Sequence, residues 1–217
     1  MKVLITGFQP FGGERINPAY EAVKLLPQQI DGVSIVKREI PVVFNEGAEV
    51  VRQAIQEENP DIVICVGQAG GRSGITPEFV GINYADARIP DNNGGQPVDQ
   101  IIQPDGENAY FTSLPVKAMV SSLKQAGIPA SISYSAGTYV CNDVMYQLLY
   151  FLHTEFAGRM PAMRGGFIHV PFADEQIVNK PNTPSLPLET IARGLELCIR
   201  AAIQNETDIH FTGGTIQ

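Results

Sequence analysis

Residues 61–66 read D-I-V-I-C-V: after the aspartate come five apolar residues in a row. A strand with one wet face alternates polar and apolar side chains, so an unbroken run must be covered on both faces. A parallel sheet with helices packed on either side meets that demand. Residues 2–6, 33–40 and 165–170 read as further strands, and 130–134 as another. Residues 79–82 and 87–89 look extended. Between them lie helical patterns. One starts at Asn17-Pro18, one runs from a cap at Asn45 to about Glu58, and one opens at Leu114-Pro115 and stops before Gly127. Two more span 140–156 and 188–203. Strands and helices alternate throughout, which predicts an open α/β/α sandwich: a twisted, mixed but largely parallel sheet with helices on both faces. The sequence shows no repeat and no linker, so residues 1–217 are expected to form a single domain.

Hydrophobic residues make up 44% and charged residues 18%, a globular balance. The net charge of −8 argues against nucleic acid and against an anionic membrane as partners. The apolar run at the N-terminus is too short for a signal-peptide core or a membrane span. Cys65, Cys141 and Cys198 form no C-x-x-C pair and no Cys/His metal spacing. Free thiols and a cytoplasmic location are expected, with no metal or cofactor.

Ligands of open α/β sheets sit beyond the carboxyl ends of the strands. Four unusual segments fall there: residues 7–13 (G-F-Q-P-F-G-G), residues 67–74 (G-Q-A-G-G-R-S-G), the turn before Cys141, and His169. Neither glycine loop is followed by Lys-Ser/Thr, so a phosphate loop is excluded, and neither opens directly into a helix as a dinucleotide fingerprint does. Phe8 and Phe11 either wall an apolar pocket or cap the core. Residues 91–108, rich in Pro, Gly, Asn and Asp, read as an irregular segment of the lid or interface kind, with a hairpin-type turn at N-N-G-G.

Cys141 has two readings. With Val144, Met145, Leu148, Leu149 and Leu152 it falls on one apolar helical stripe, where a cysteine is a small core residue. It also lies at a helix start, where unpaired N–H groups and the positive dipole end stabilise a thiolate or an oxyanion. Cys65, inside a strand, and Cys198, mid-helix, have only the core reading. A thiol nucleophile needs a base. His153 is too far along the Cys141 helix, and His210 sits in a polar tail. His169 ends an apolar strand at the same edge, where a histidine is either structural or catalytic. Glu78 reads, by itself, as a solvated loop carboxylate.

Taken together, G-F-Q-P-F-G-G, V-G-Q-A-G-G-R with I-T-P-E after it, A-R-I-P-D-N, S-A-G-T-Y-V-C-N and G-G-F-I-H-V-P resemble the pyrrolidone carboxyl peptidases, or pyroglutamyl peptidases of type I. The motifs run in the family's order from Lys2 past Pro171. The resemblance implies a cytosolic cysteine peptidase, usually a homotetramer, that removes N-terminal pyroglutamyl residues from peptides without a cofactor. It implies a Glu78, Cys141, His169 triad. It also implies a substrate pocket of Phe8, Phe11 and Tyr139, with Asn17 and Gln68 close to the site and Arg88 next to the triad. The chain departs from the family pattern at Gln9, where Asp is expected, at Phe79, where Arg is usual, and at Tyr139, where Phe is commoner. A nucleoside phosphorylase of similar fold and a non-catalytic small-molecule binding module are the competing readings. The first needs phosphate-dependent cleavage, and in both Cys141 is dispensable.

Overall fold

The computed structural model describes residues 1–159 and 162–214. Its central sheet has six strands in the order β2 (Gln29–Ile30), β3 (Val33–Ile40), β1 (Lys2–Phe8), β4 (Ile62–Gln68), β8 (Arg164–Val170), β5 (Thr76–Pro77). The four central strands run parallel, while β2 and β5 pair antiparallel at the two ends. Two small pairs accompany the sheet: β6 (Val80–Ile82) with β7 (Ala109–Phe111), and β9 (Phe172–Ala173) with β10 (Ser185–Leu186).

The unbroken apolar run is explained by its two coats. Ile62, Ile64 and Val66 of β4 face one core shared with α1 (Pro18–Leu25), α3 (Val116–Gln125) and α5 (Leu188–Gln204). Val63 and Cys65 face the other, shared with α2 (Glu46–Glu58) and α4 (Val140–His153). Each such fully buried aliphatic side chain contributes about 1.5–3 kcal/mol relative to exposure. Among the described residues no helix is long and apolar enough to cross a membrane.

Local chemistry sets the helix ends. Asn17 caps α1, its side chain accepting from the Ala19 N–H at 3.1 Å, with Pro18 in the first turn. Gly127, at φ +75°, follows α3. Asn45 departs from expectation. It sits at φ 62° with no capping bond, because its N–H donates to Asp143 at 2.9 Å and its side chain accepts from Gln147. Helix α4 ends at His153 rather than running to 156. Residues 130–134 are not a regular strand. They lie beside β5 through single bridges, Ile75 with Ala130 and Glu78 with Ser133, because Pro77 has no N–H to complete the ladder. Residues 87–89 form no strand.

The irregular segment after Asp91 is tied down. The buried Asp91 carboxylate accepts from the N–H groups of Phe44, Asn93 and Gly95 at 3.0, 2.9 and 2.7 Å, which forms the turn at 92–95. The Asn83 side chain accepts from Ile102 and Gln103, both at 2.9 Å.

Candidate active site

The carboxyl ends of β1, β4 and β8 converge on the α2/α4 side of the sheet. Phe8 ends β1, Gln68 ends β4, and His169 is the penultimate residue of β8. Gly67 and His169 are register partners. Cys141, the second residue of α4, descends on this edge, and its Sγ lies against the bare α-carbon of Gly67. The thiol therefore stands over the strand position next to the histidine. The turn that delivers it contains Gly137 at φ +83°, a conformation that side chains rarely adopt.

His169 is buried and pinned. Its Nδ1 donates to Oε1 of Glu78 at 2.6 Å, and its ring packs 4.8 Å from that of Phe167. With the proton on Nδ1, Nε2 is an acceptor. Glu78 follows β5, its N–H held by Phe167 O at 2.9 Å, and it is 0% exposed. The solvated-loop reading of Glu78 is thus overturned. Sequence reasoning missed the group that makes this burial tolerable. Arg72 donates from Nη1 to the same Oε1 at 2.6 Å and from Nη2 to Ser135 O at 3.1 Å. Its only sequence signal is a lone charge in a neutral glycine loop.

The electrostatics follow. Burial pushes the Glu78 carboxyl up, but the hydrogen bond and charge of His169 and the charge of Arg72 bring it net below its ordinary value. Burial, aided by Arg72, lowers His169 more than Glu78 raises it, so the imidazole is neutral. Burial and then the Glu78 charge push the Cys141 thiol up to about 12, while Arg72 and the residue's own N–H pull the other way. These causes together favour the neutral thiol rather than the expected thiolate. Cys65 and Cys198 are fully buried, as the core reading requires.

A cavity of about 280 Å³ opens over these groups, walled by Phe8, Phe11 and Tyr139 and reached by Asn17, Gln68, Arg72, Cys141 and His169. The Phe11 and Tyr139 rings are 6.3 Å apart. The Tyr139 hydroxyl, the extra atom of that departure, donates to Pro90 O at 3.0 Å. Gln68 Oε1 accepts from Nε2 of Gln176 at 2.9 Å, a second partner the sequence did not reveal, which leaves the Gln68 amide N–H for a ligand. Arg88 is not brought here: it is exposed and absent from the lining. Gln9 is exposed, and Phe79 packs against Phe111 (tilted, ring centroids 5.2 Å apart) and Tyr134 (edge-on, 5.6 Å), so both departures lie off the cavity. Among the described residues no three His, Cys, Asp or Glu side chains converge to hold a metal ion.

The sequence model of a family described as pyroglutamyl peptidase matches residues 1–205. A pyrrolidone-carboxylate peptidase of Clostridium perfringens is 56% identical over 216 residues, covering 100% of both chains. One from Lactobacillus johnsonii is 56% identical over 206 residues, covering 95% of this chain and 94% of its own. The crystal structure of pyroglutamyl peptidase I from Bacillus amyloliquefaciens superposes with a TM-score of 0.91 at 48% identity, covering 97% of this chain and 99% of the other. A mutant pyrrolidone carboxyl peptidase from Pyrococcus furiosus gives 0.88 at 42% identity, over 94% of this chain and 99% of its own.

Proposed function

Since the chain belongs to the pyroglutamyl peptidase family, cysteine peptidases that remove N-terminal pyroglutamate, we propose that Cys141, His169 and Glu78 carry the reaction and that the aromatic cavity holds the pyroglutamyl ring. The observation that carries this reading is the Cys141 sulfur seated against Gly67, whose strand partner His169 is held through Nδ1 by a buried carboxylate. Membership removes the phosphorylase and binding-module alternatives.

In this reading the substrate carbonyl lies over Sγ of Cys141. Nε2 of His169 takes the thiol proton as the S–C bond forms. The N–H groups of Val140, Cys141 and Asn142 precede the first helical bond, from Asp143 N–H to Tyr139 O; among the described residues they donate to no backbone acceptor, which suits them to hold the oxyanion. The C–N bond breaks as His169 returns its proton to the leaving amine. Water then adds to the thioester, releasing pyroglutamate and restoring the thiol. Glu78 fixes the tautomer and stabilises the transient imidazolium, and Arg72 keeps Glu78 ionised and in place.

The ring chemistry suits the cavity. Pyroglutamate is a neutral lactam with two apolar faces, one N–H and one C=O. Aromatic walls take the faces, and Gln68 and Asn17 supply polar partners. Arg88, exposed and off the lining, has no role in this mechanism. A homotetrameric, cytoplasmic enzyme belongs to the same proposal on the strength of the resemblance, and light scattering tests the assembly. The deciding experiment is amine release from a pyroglutamyl anilide by the parent and by Cys141→Ser. Activity in the parent and loss in a folded variant is the expected result; activity surviving in the variant moves the nucleophile elsewhere.

A further inference from the structure

With the scissile carbonyl over Cys141, the chain that follows the pyroglutamyl ring must leave the cavity of about 280 Å³. Beside it lies a second, open hollow of about 630 Å³. Arg72 and Ser135 line both, so the two adjoin across the hydrogen bond from Arg72 to Ser135 O. We propose that this hollow is the binding groove for the leaving peptide, which lies extended along residues 131–135. The inference rests on the functional reading above.

The walls suit a main chain of any sequence. One is the loop 71–74, and the other is the segment 131–135. Ser131, Ser133 and Ser135 recur at every second position, the spacing that puts side chains on one face of an extended segment. The N–H groups of Ser131 and Ser133 are spent on Ile75 O and Pro77 O. The backbone groups of Ile132 and Tyr134 turn off the opposite edge, away from β5, so the hollow is faced by the serine side chains and by the N–H groups of Ser73 and Gly74, which among the described residues have no backbone partner. The main chain of an extended peptide pairs with such hydroxyl and N–H groups, so affinity comes from its backbone rather than its side chains. Five extended residues span about 13 Å, enough for a leaving chain of about three or four residues. Arg72 stands at the junction, where the scissile bond gives way to the chain.

The test is a length series: pyroglutamyl anilide against amidated pyroglutamyl-alanine peptides with one to five alanines, assayed on the parent and on Ser131→Trp and Ser73→Trp. Two or three added backbone hydrogen bonds predict that kcat/KM rises about tenfold or more up to the third or fourth residue and then levels. Each tryptophan fills the groove, so it should erase that rise and leave anilide cleavage within about twofold, since neither serine lines the chemical cavity. The anilide rate also reports that each variant is folded. A parent series flat in length overturns the groove, as do variants that lower anilide and peptide cleavage equally. A parent that cleaves no pyroglutamyl anilide overturns the functional reading itself, and the groove with it.

Discussion

Gly67 makes the room that Cys141 occupies. A Cβ built on Gly67 would lie 2.9 Å from Sγ of Cys141 and 2.8 Å from Cζ of Phe167, both closer than real Cβ contacts come. The sulfur is thus set against the sheet by the absence of one methyl group. Gly67→Ala must displace the sulfur, the Phe167 ring, or both. Overpacking of this kind costs about 1–3 kcal/mol, so the variant should fold. Relieving the contact moves the sulfur by about half an ångström, which should cut kcat about tenfold. Anilide assays beside a thermal melt check this, and full activity in Gly67→Ala would contradict the placement of the thiol.

The directions of both shifts favour a neutral resting pair over an ion pair. Burial lowers His169 below its ordinary 6.5 and pushes Cys141 up to about 12. The active form needs His169 unprotonated and the thiol protonated, which is the state between those two values. The acid limb of kcat/KM should fall below pH 6.5, and the alkaline limb well above pH 9. Alkylation of the free enzyme by iodoacetamide should still be accelerating between pH 8 and 10. A plateau from pH 5 upward, as a thiolate–imidazolium pair gives, would refute this.

Arg72 balances Glu78 as His169 sees it. The carboxylate raises His169, and the guanidinium, bound to the same oxygen, lowers it. In Arg72→Gln the carboxylate acts unopposed, so the His169 pKa rises and the acid limb moves to higher pH. Loss of the clamp on Glu78 should also lower kcat about tenfold to a hundredfold, with KM for the anilide less affected. Arg72→Lys keeps the charge without the two-pronged grip and should restore the limb before it restores kcat. A fall in rate with an unmoved pH profile would assign Arg72 a merely structural part.

What could be read from the chain followed from local pattern. The strands at 2–8, 62–68 and 164–170 were legible because burial on both faces leaves a largely apolar run, whereas 33–40, with Ser34 and Glu39 exposed, is a sheet strand with apolar residues only at intervals. The edge at 130–134 misled because its apolar look reflects one buried residue, Ile132, beside a proline that cannot pair. Glu78 was illegible by itself because its burial depends on partners 6 and 91 positions away. Only the matched motifs brought Glu78, Cys141 and His169 together before the fold did. Gln176 left no signal, since it lies in a polar stretch and reaches Gln68 across 108 residues.

The amide pair Gln68–Gln176 should set selectivity for the lactam. Gln176 is nearly buried and also accepts from the Ala173 N–H at 3.0 Å, so its own orientation is fixed. By donating to Gln68 Oε1 it commits the Gln68 amide to present N–H to the ring. A prolyl substrate has no lactam carbonyl to accept that N–H and brings a charged amine among Phe8, Phe11 and Tyr139. A site with polar partners built for one group rejects the analogue lacking it by a factor of about ten thousand or more. Prolyl anilide should therefore be cleaved at least that much more slowly than pyroglutamyl anilide. Gln176→Met fills similar space without the hydrogen bond. It should raise KM for pyroglutamyl anilide with little change in kcat, because it loosens binding and leaves His169 and Glu78 untouched. It should also narrow the gap to the prolyl compound. Equal cleavage of the two anilides by the parent, or a Gln176→Met effect confined to kcat, would remove Gln68 from ring recognition.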